Sequence, residues 1–251
     1  MGRRIAFINE KGGSCKTTLS VNLAAYFAGY QNKKVLLIDM DPQGQVGKAF
    51  GLDVKNQPVT TMDMLTNPEV SAKDAVVQSR IDNLDLICSN KTLTDFAVTA
   101  AADEDRVLRL KSKLDGLRGY DYILFDSPPS LGLITLNIMM ATNEIVIPVS
   151  LTYFALDGCA EIVDTVDTVK SNYNKKGLKV SHIVPTLYRR TRLGNAILGK
   201  LREFFPDKVT DTVIGMNVAI DEAQSFGQTI WEYQPRSRGA QMLEELAKEI
   251  G

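Results

Sequence analysis

Residues 4–18 read RIAFINEKGGSCKTT, and the order of residue types in this stretch decides the fold. The apolar run after Arg4 predicts a strand over Arg4–Asn9. Leu19, Leu23, Ala24 and Phe27 then recur three and four residues apart, which predicts a helix over Thr17–Tyr30. Between the two lie Glu10, Lys11, Gly12, Gly13, Ser14, Cys15 and Lys16. Paired glycines let the backbone approach a polyphosphate and turn several N–H groups toward it. A helix opening at the same point adds its partial positive charge. Lys16 can reach β- and γ-phosphates, the Thr17 hydroxyl can hold Mg2+, and the Thr18 hydroxyl can donate to an α-phosphate.

The common phosphate loop reads GxxxxGK[ST]; here Glu10 and Cys15 stand at its two glycine positions. If position 15 needs a positive φ, a non-glycine residue there costs about 1 kcal/mol. A thiol at a helix N-terminus is also a candidate redox group, because that position lowers its pKa. A tolerated substitution is the simpler reading.

Outward from this unit the alternation of strand and helix continues. Lys34–Asp39 reads as a second strand, apolar nearly throughout, as a parallel strand covered on both faces should be. Further strands are predicted at Leu84–Cys88, Tyr122–Phe125, Glu144–Val149, Val180–Val184 and Val209–Ile214. Helices are predicted over 71–79, 92–117, 131–142, 155–173, 195–205 and 237–249, and 56–67 reads as a loop with a short helix. The expected fold is α/β: a single doubly wound, mostly parallel sheet with helices on both faces, in one domain over 1–251. Such sheets bind ligands at the C-terminal ends of their strands.

Two of those strand ends are acidic. The second strand runs into Asp39-Met-Asp41-Pro-Gln-Gly44, and alternation puts Asp39 and Asp41 on one side. Mg2+ and an attacking water would give two carboxylates there a use, although Asp-Pro also starts turns unaided. Tyr122-Ile-Leu-Phe-Asp126 is an apolar strand ending in a carboxylate that can hold Mg2+ through water. Pro128 and Pro129 stiffen the loop that follows.

These segments resemble the ParA/MinD class of P-loop ATPases, whose deviant Walker A signature is KGGxxK[ST]. INEKGGSCKTTLSVNLAAYFA is similar to the opening of Soj-type ParA partition ATPases, DMDPQG to their first switch and DSPP to their second. Gln234-Pro-Arg-Ser-Arg-Gly-Ala240 resembles the family's DPRSRGA, so the resemblance spans the chain. It implies an ATPase that uses ATP and Mg2+. Lys11 through Thr18 (Lys11, Gly12, Gly13, Ser14, Cys15, Lys16, Thr17, Thr18) would bind ATP, and Thr17, Asp39 and Asp126 would surround Mg2+. Lys11, Lys16 and Asp41 would be catalytic: Lys11 as the signature lysine that crosses an ATP-sandwich homodimer, Asp41 as the group that orients the hydrolytic water. The resemblance further implies slow hydrolysis, stimulated by a ParB-like adaptor, that segregates chromosome, plasmid or other cargo on nonspecific duplex DNA. The alternative in the same class is a MinD-like localisation ATPase acting on a membrane or protein surface. An iron–sulfur carrier would need cysteines that the Asp126 segment lacks, and a metabolic ligase a substrate pocket that the sequence does not display.

The 251 residues carry 29 Lys+Arg and 30 Asp+Glu, a net charge of −1, with 44% hydrophobic residues. That balance excludes a uniformly basic nucleic-acid coat and a disordered chain. The charge is nonetheless uneven. Lys170–Arg202 holds nine cations and no Asp or Glu, so this segment is +9 and the remainder −10. Such asymmetry points to a phosphate-rich partner. Arg190-Thr-Arg-Leu-Gly194 resembles the RTxLG segment of Soj-type proteins, whose arginine contributes to nonspecific DNA binding. Arg189, Arg190, Arg192, Lys200 and Arg202 are the expected DNA contacts. A second family segment, RNVRLSE, reads Met216-Asn-Val-Ala-Ile-Asp-Glu222 here, without its two arginines. Gly215 replaces the usual proline before it, in a region that contacts adenine in relatives.

The three cysteines form no CxxC pair and support neither a disulfide framework nor a zinc site. No apolar stretch approaches the ~20 residues of a membrane span, and the last helix carries Glu244, Glu245 and Glu249. A cytoplasmic protein is expected, nucleoid-associated where it binds DNA, with no membrane partner. His182, Trp231, Cys88 and Cys159 read as packing residues, with Trp231 beside the last helix.

Overall fold

The computed structural model describes residues 2–251. Its strands are β1 (Arg3–Phe7), β2 (Val35–Asp39), β3 (Val76–Gln78), β4 (Leu84–Ile87), β5 (Tyr122–Asp126), β6 (Glu144–Ser150) and β7 (Lys179–Thr186). They form one sheet in the order β3-β4-β2-β5-β1-β6-β7, parallel except for the β3–β4 pair. The helices are α1 (Lys16–Gly29), α2 (Gln45–Ala49), α3 (Thr61–Thr66), α4 (Phe96–Thr99), α5 (Arg109–Asp115), α6 (Leu133–Ala141), α7 (Ala155–Asn172), α8 (Arg192–Phe204), α9 (Val218–Ser225), α10 (Ile230–Tyr233) and α11 (Arg238–Ile250).

Side chains of each central strand alternate between two cores. Ala6, Leu36 and Ile38 pack with residues of α3, α5, α6 and α7. Ile5, Phe7, Val35 and Leu37 pack with residues of α1, α9, α10 and α11. Cover on both faces is why these strands read as unbroken apolar runs. The chain leaves β1 for β2 on one side and later fills β6 and β7 on the other. The C-terminal end of β1 is therefore the switch point, where this architecture opens a cleft.

Three expectations need correction. Residues 71–79 are not a helix. Ser71 donates its N–H and hydroxyl to Asp74, a local turn that competes with helix, and Val76–Gln78 join the sheet antiparallel to β4. The helix expected over 92–117 is broken into a 3-10 turn at Lys91–Asp95, α4 and α5. Asp103 accepts from Asp105 N–H and pairs with Arg109, while Asn137 caps the segment by accepting from Leu110 N–H. Val209–Ile214 forms no strand. It makes one isolated bridge, Val209 to Ile183, with a second just beyond it from Gly215 to Tyr188, and the N–H groups of Asp211 and Thr212 donate to Glu249 instead.

Smaller differences follow from caps. α8 starts at Arg192, before the expected 195, because the Thr191 hydroxyl accepts from Gly194 N–H at 3.0 Å. A Thr60–Asp63 capping box fixes the short helix α3 inside the expected loop. Trp231 packs on α1, against Tyr26 and Tyr30, and donates to Asn22 O. Among the described residues, no helix is long and apolar enough to cross a membrane.

Candidate functional site

A cavity of about 440 Å3 opens at the C-terminal end of β1, between the loop Gly12–Thr18 and a wall that includes Asp41, Pro129, Leu187 and Asp221. The loop turns through left-handed backbone at Gly13 and again at Cys15, both with φ 70°. Cys15 is the residue that caps α1, so the strained position anticipated for it is real. Its thiol is packed inward, and burial pushes its pKa up to about 11. A thiol in that state stays protonated at neutral pH, which removes the physical basis of the redox reading. The strain has a measurable consequence. Cys15→Gly relieves it and Cys15→Ala keeps it, so the glycine variant should be the more stable of the two by about 1 kcal/mol in urea unfolding. Equal midpoints would show that the loop does not hold this conformation.

Lys16 is buried, and its Nζ donates to Lys11 O at 3.2 Å. Burial lowers its pKa, and nearby Asp126 and Asp41 act the other way. The Thr17 hydroxyl donates to Asp126 Oδ2 at 2.6 Å. Asp126 Oδ1 is buried with no hydrogen-bond partner among the described residues. An orphaned carboxylate oxygen beside a serviceable hydroxyl suits a cation or its bound water. Among the described residues, no three His, Cys, Asp or Glu side chains form a metal cage. Mg2+ does not need one, because it retains waters and takes phosphate oxygens as ligands.

Burial raises the Asp126 pKa to about 7, against the opposing hydrogen bond from Thr17. Stability present in acid is therefore lost as pH rises from about 4 to about 7. In the nucleotide-free protein Asp126→Asn should be more stable than wild type by about 1–2 kcal/mol at pH 8, with the gap closing toward pH 4. Calorimetry across that range tests it, and a wild type equal to or above the variant at pH 8 would refute it.

The two carboxylates at the end of β2 have different surroundings. Asp39 is fully buried, and its two oxygens accept from Asp41 N–H and Val46 N–H, each at 3.0 Å. Burial and neighbouring Asp126 raise its pKa. It fixes the turn into α2. That turn also requires Gly44, at φ 63°, where a Cβ would lie 2.7 Å from Ser89 O. Asp41 accepts from Gln43 N–H at 2.9 Å and stands in the cavity wall. Lys11 is not in that wall: its Nζ donates to Phe154 O at 2.7 Å, 5.4 Å from the centre of the Phe154 ring.

The basic segment lies apart from the cavity floor. Arg189 and Arg190 follow β7 and Arg192, Lys200 and Arg202 lie on α8, all exposed. Arg189 Nε donates to Met216 Sδ at 2.8 Å, so the arginine rests on a position where the resembling family carries one of its own. Three further cations of the segment bond within the chain, Arg202 among them through a long 3.5 Å contact to Asp211 O. Lys170 pairs with Asp167 at 3.0 Å. Lys175 donates to Met140 O, and burial lowers its pKa to about 8.

Sequence reasoning missed Gln45, Lys48, Leu187, Asp221 and Gln224, all in the cavity wall. Leu187 holds φ 52°, uncommon for a bulky residue and typical of strain kept at functional sites. Asp221 and Gln224 lie three apart on α9, while Ile220 and Ala223 face the core. Asn217, which caps α9 and accepts from Ile220 N–H, was the readable signal for that helix.

Comparison with known proteins agrees with this geometry. A family model described as an AAA domain matches residues 2–180. The chain is 39% identical to the sporulation initiation inhibitor protein Soj of Bacillus subtilis, covering 100% of this chain and 98% of that protein. It is 38% identical to the chromosome-partitioning ATPase Soj of Treponema pallidum, covering 100% and 97%. Among solved structures, cobyrinic acid a,c-diamide synthase from Mycobacterium smegmatis with bound ADP and magnesium superposes with a TM-score of 0.84 at 28% identity, covering 100% of this chain and 94% of that one. With full-length identity of this order to the two Soj proteins and a phosphate-loop site at the switch point of a parallel sheet, the chain belongs to the ParA/Soj family of partition ATPases.

Proposed function

We propose that the whole chain acts as one ATPase domain that binds ATP and Mg2+ at the Gly12–Thr18 loop, pairs with a second copy over the nucleotide, and in that state holds duplex DNA without sequence preference. The observation that carries the reading is the Thr17–Asp126 contact, with Asp126 Oδ1 left unpartnered beside Lys16. Mg2+ supplies positive charge at the β- and γ-phosphates when bound. Thr17 and Asp126 would hold it, and Asp39 would support them from the turn behind. Lys16 would neutralise phosphate charge, and the backbone N–H groups of the loop would orient it. Asp41, in the cavity wall, would orient the hydrolytic water. Lys11 would leave the Phe154 carbonyl and reach the nucleotide of the second copy.

Hydrolysis would be slow alone and stimulated by a ParB-like adaptor, which resets the dimer and moves a chromosome, plasmid or other cargo in the cytoplasm, on the nucleoid. Arg189, Arg190, Arg192, Lys200 and Arg202 would contact phosphates. Charge favours this over the MinD-like membrane reading: the cations are exposed on α8 and the loop before it, while α11 bears Glu244, Glu245 and Glu249. The test is retention of long random-sequence duplex DNA with ATP, with ADP and with no nucleotide. Retention with ATP alone is expected. No retention in any arm, or the same in all three, would overturn the DNA-positioning reading.

A further inference from the structure

Gln224 bridges from α9 to the phosphate loop's helix, its Nε2 donating to Thr18 Oγ1 at 2.8 Å. A hydroxyl that accepts in this way still has its own proton to give. The usual local taker for a helical threonine is the carbonyl four residues earlier, but the side-chain hydrogen bond that Ser14 O accepts comes from the Thr186 hydroxyl at 3.2 Å and not from Thr18. Thr18 and Gln224 both stand in the cavity wall. We infer that Gln224 is a positioning residue for nucleotide binding: by donating to Thr18 it commits that hydroxyl to act as a donor toward bound phosphate, and it ties the α9 wall to the phosphate loop.

The α9 wall is itself held from behind, so that the amide is presented in one place. Arg80, in the turn between β3 and β4, donates to Gly227 O at 2.7 Å and to the carbonyl of Phe50, just beyond α2. It also pairs with Glu232 on α10, N to O 2.5 Å. Gly227 lies two residues past α9 at φ 63°, and a Cβ on it would meet Lys48 O at 3.1 Å. Ile220 and Ala223 anchor α9 in the core. A displacement of the α9 backbone that carried Gln224 away from Thr18 would have to disturb these contacts together.

The inference rests on the nucleotide reading given above, and the experiment separates the two. Calorimetric titration with MgADP and MgATP is run on the full chain as wild type, Gln224→Leu, Thr18→Val, the double variant and the near-isosteric Gln224→Glu, with the melting temperature of each. Gln224→Leu should weaken nucleotide binding about three- to tenfold, the range of one hydrogen bond. Thr18→Val should do the same, and the double variant should lose no more than the worse single. Gln224→Glu should lose about tenfold or more, because the carboxylate takes the Thr18 proton and sets a negative charge near phosphate. A merely structural role would lower the melting temperature and leave the affinity of the folded protein unmoved. Unchanged affinity in Gln224→Leu or Gln224→Glu, or additive losses in the double variant, overturns the inference. Absence of nucleotide binding in wild type overturns the reading beneath it and this inference with it.

Discussion

Lys16→Ala is expected to abolish the ATP-dependent increase in mass that the sandwich-dimer reading requires of wild type in light scattering, and to lower ATP hydrolysis by about 10²–10³-fold. The side chain sits at the buried floor of the cavity, and its hydrogen bond to Lys11 O is long at 3.2 Å. Among the described residues it makes no ion pair with Asp41 or Asp126, although both stand close enough to influence its pKa. An ammonium kept buried and unpaired in this way is held in readiness for an anion, and a phosphate is the anion that the adjacent glycines and helix N-terminus favour. The alanine variant should fold, because the interaction it removes is one backbone hydrogen bond worth about 1 kcal/mol, while phosphate loses a desolvated cation. Melting temperature without nucleotide controls for that. An unchanged ATP-dependent mass would sink the sandwich-dimer reading. Absence of the mass increase together with a collapsed melting temperature would assign Lys16 to the fold.

Much of this site was legible because its parts sit at strand ends and strands announce themselves. Phosphate loop, first acidic turn and Asp126 each follow an apolar run that two-sided burial makes continuous. Roles inside the acidic turn were less legible. Alternation placed Asp39 and Asp41 together, yet Asp39 commits both oxygens to the N–H groups of Asp41 and Val46. Hydrogen-bond competition of that kind is decided by loop conformation, which periodicity does not encode. The same limit explains the helix expected over 71–79: the Ser71–Asp74 turn and the pairing of Val76 with Ile87 override its spacing. The opposite wall of the cavity was hidden for another reason. Leu187, Asp221 and Gln224 reach the loop only through chain closure over the sheet; the Asn217 cap marks α9, but nothing local says that its Asp221 and Gln224 line the cavity.

Reversal of three charges, Arg189→Glu, Arg190→Glu and Arg192→Glu together, is expected to remove ATP-dependent retention on DNA while leaving ATP-dependent dimerisation intact. The sequence marks nine cations between Lys170 and Arg202, and the structure divides them. Lys175 is half-buried on Met140 O, and the charge of Lys170 is offset by neighbouring Asp167, so neither adds a free cation to the face. Arg189, Arg190 and Arg192 crowd the exposed turn into α8, where the Thr191 cap fixes the backbone between them. Each phosphate that the protein ceases to neutralise should reduce the salt slope by about 0.9, so three of them should flatten it by about two to three. Reversal adds repulsion, so affinity should fall further than the slope alone implies. The informative control is Lys170→Ala with Lys175→Ala in the same segment. These remove two positive charges by composition, but the slope should stay near wild type, because Lys175 is spent on Met140 O and the charge of Lys170 is offset by Asp167. If the triple variant keeps both retention and slope, the α8 turn is not the DNA face. If instead the control pair flattens the slope as much as its charge count demands, binding follows net charge and no defined face exists.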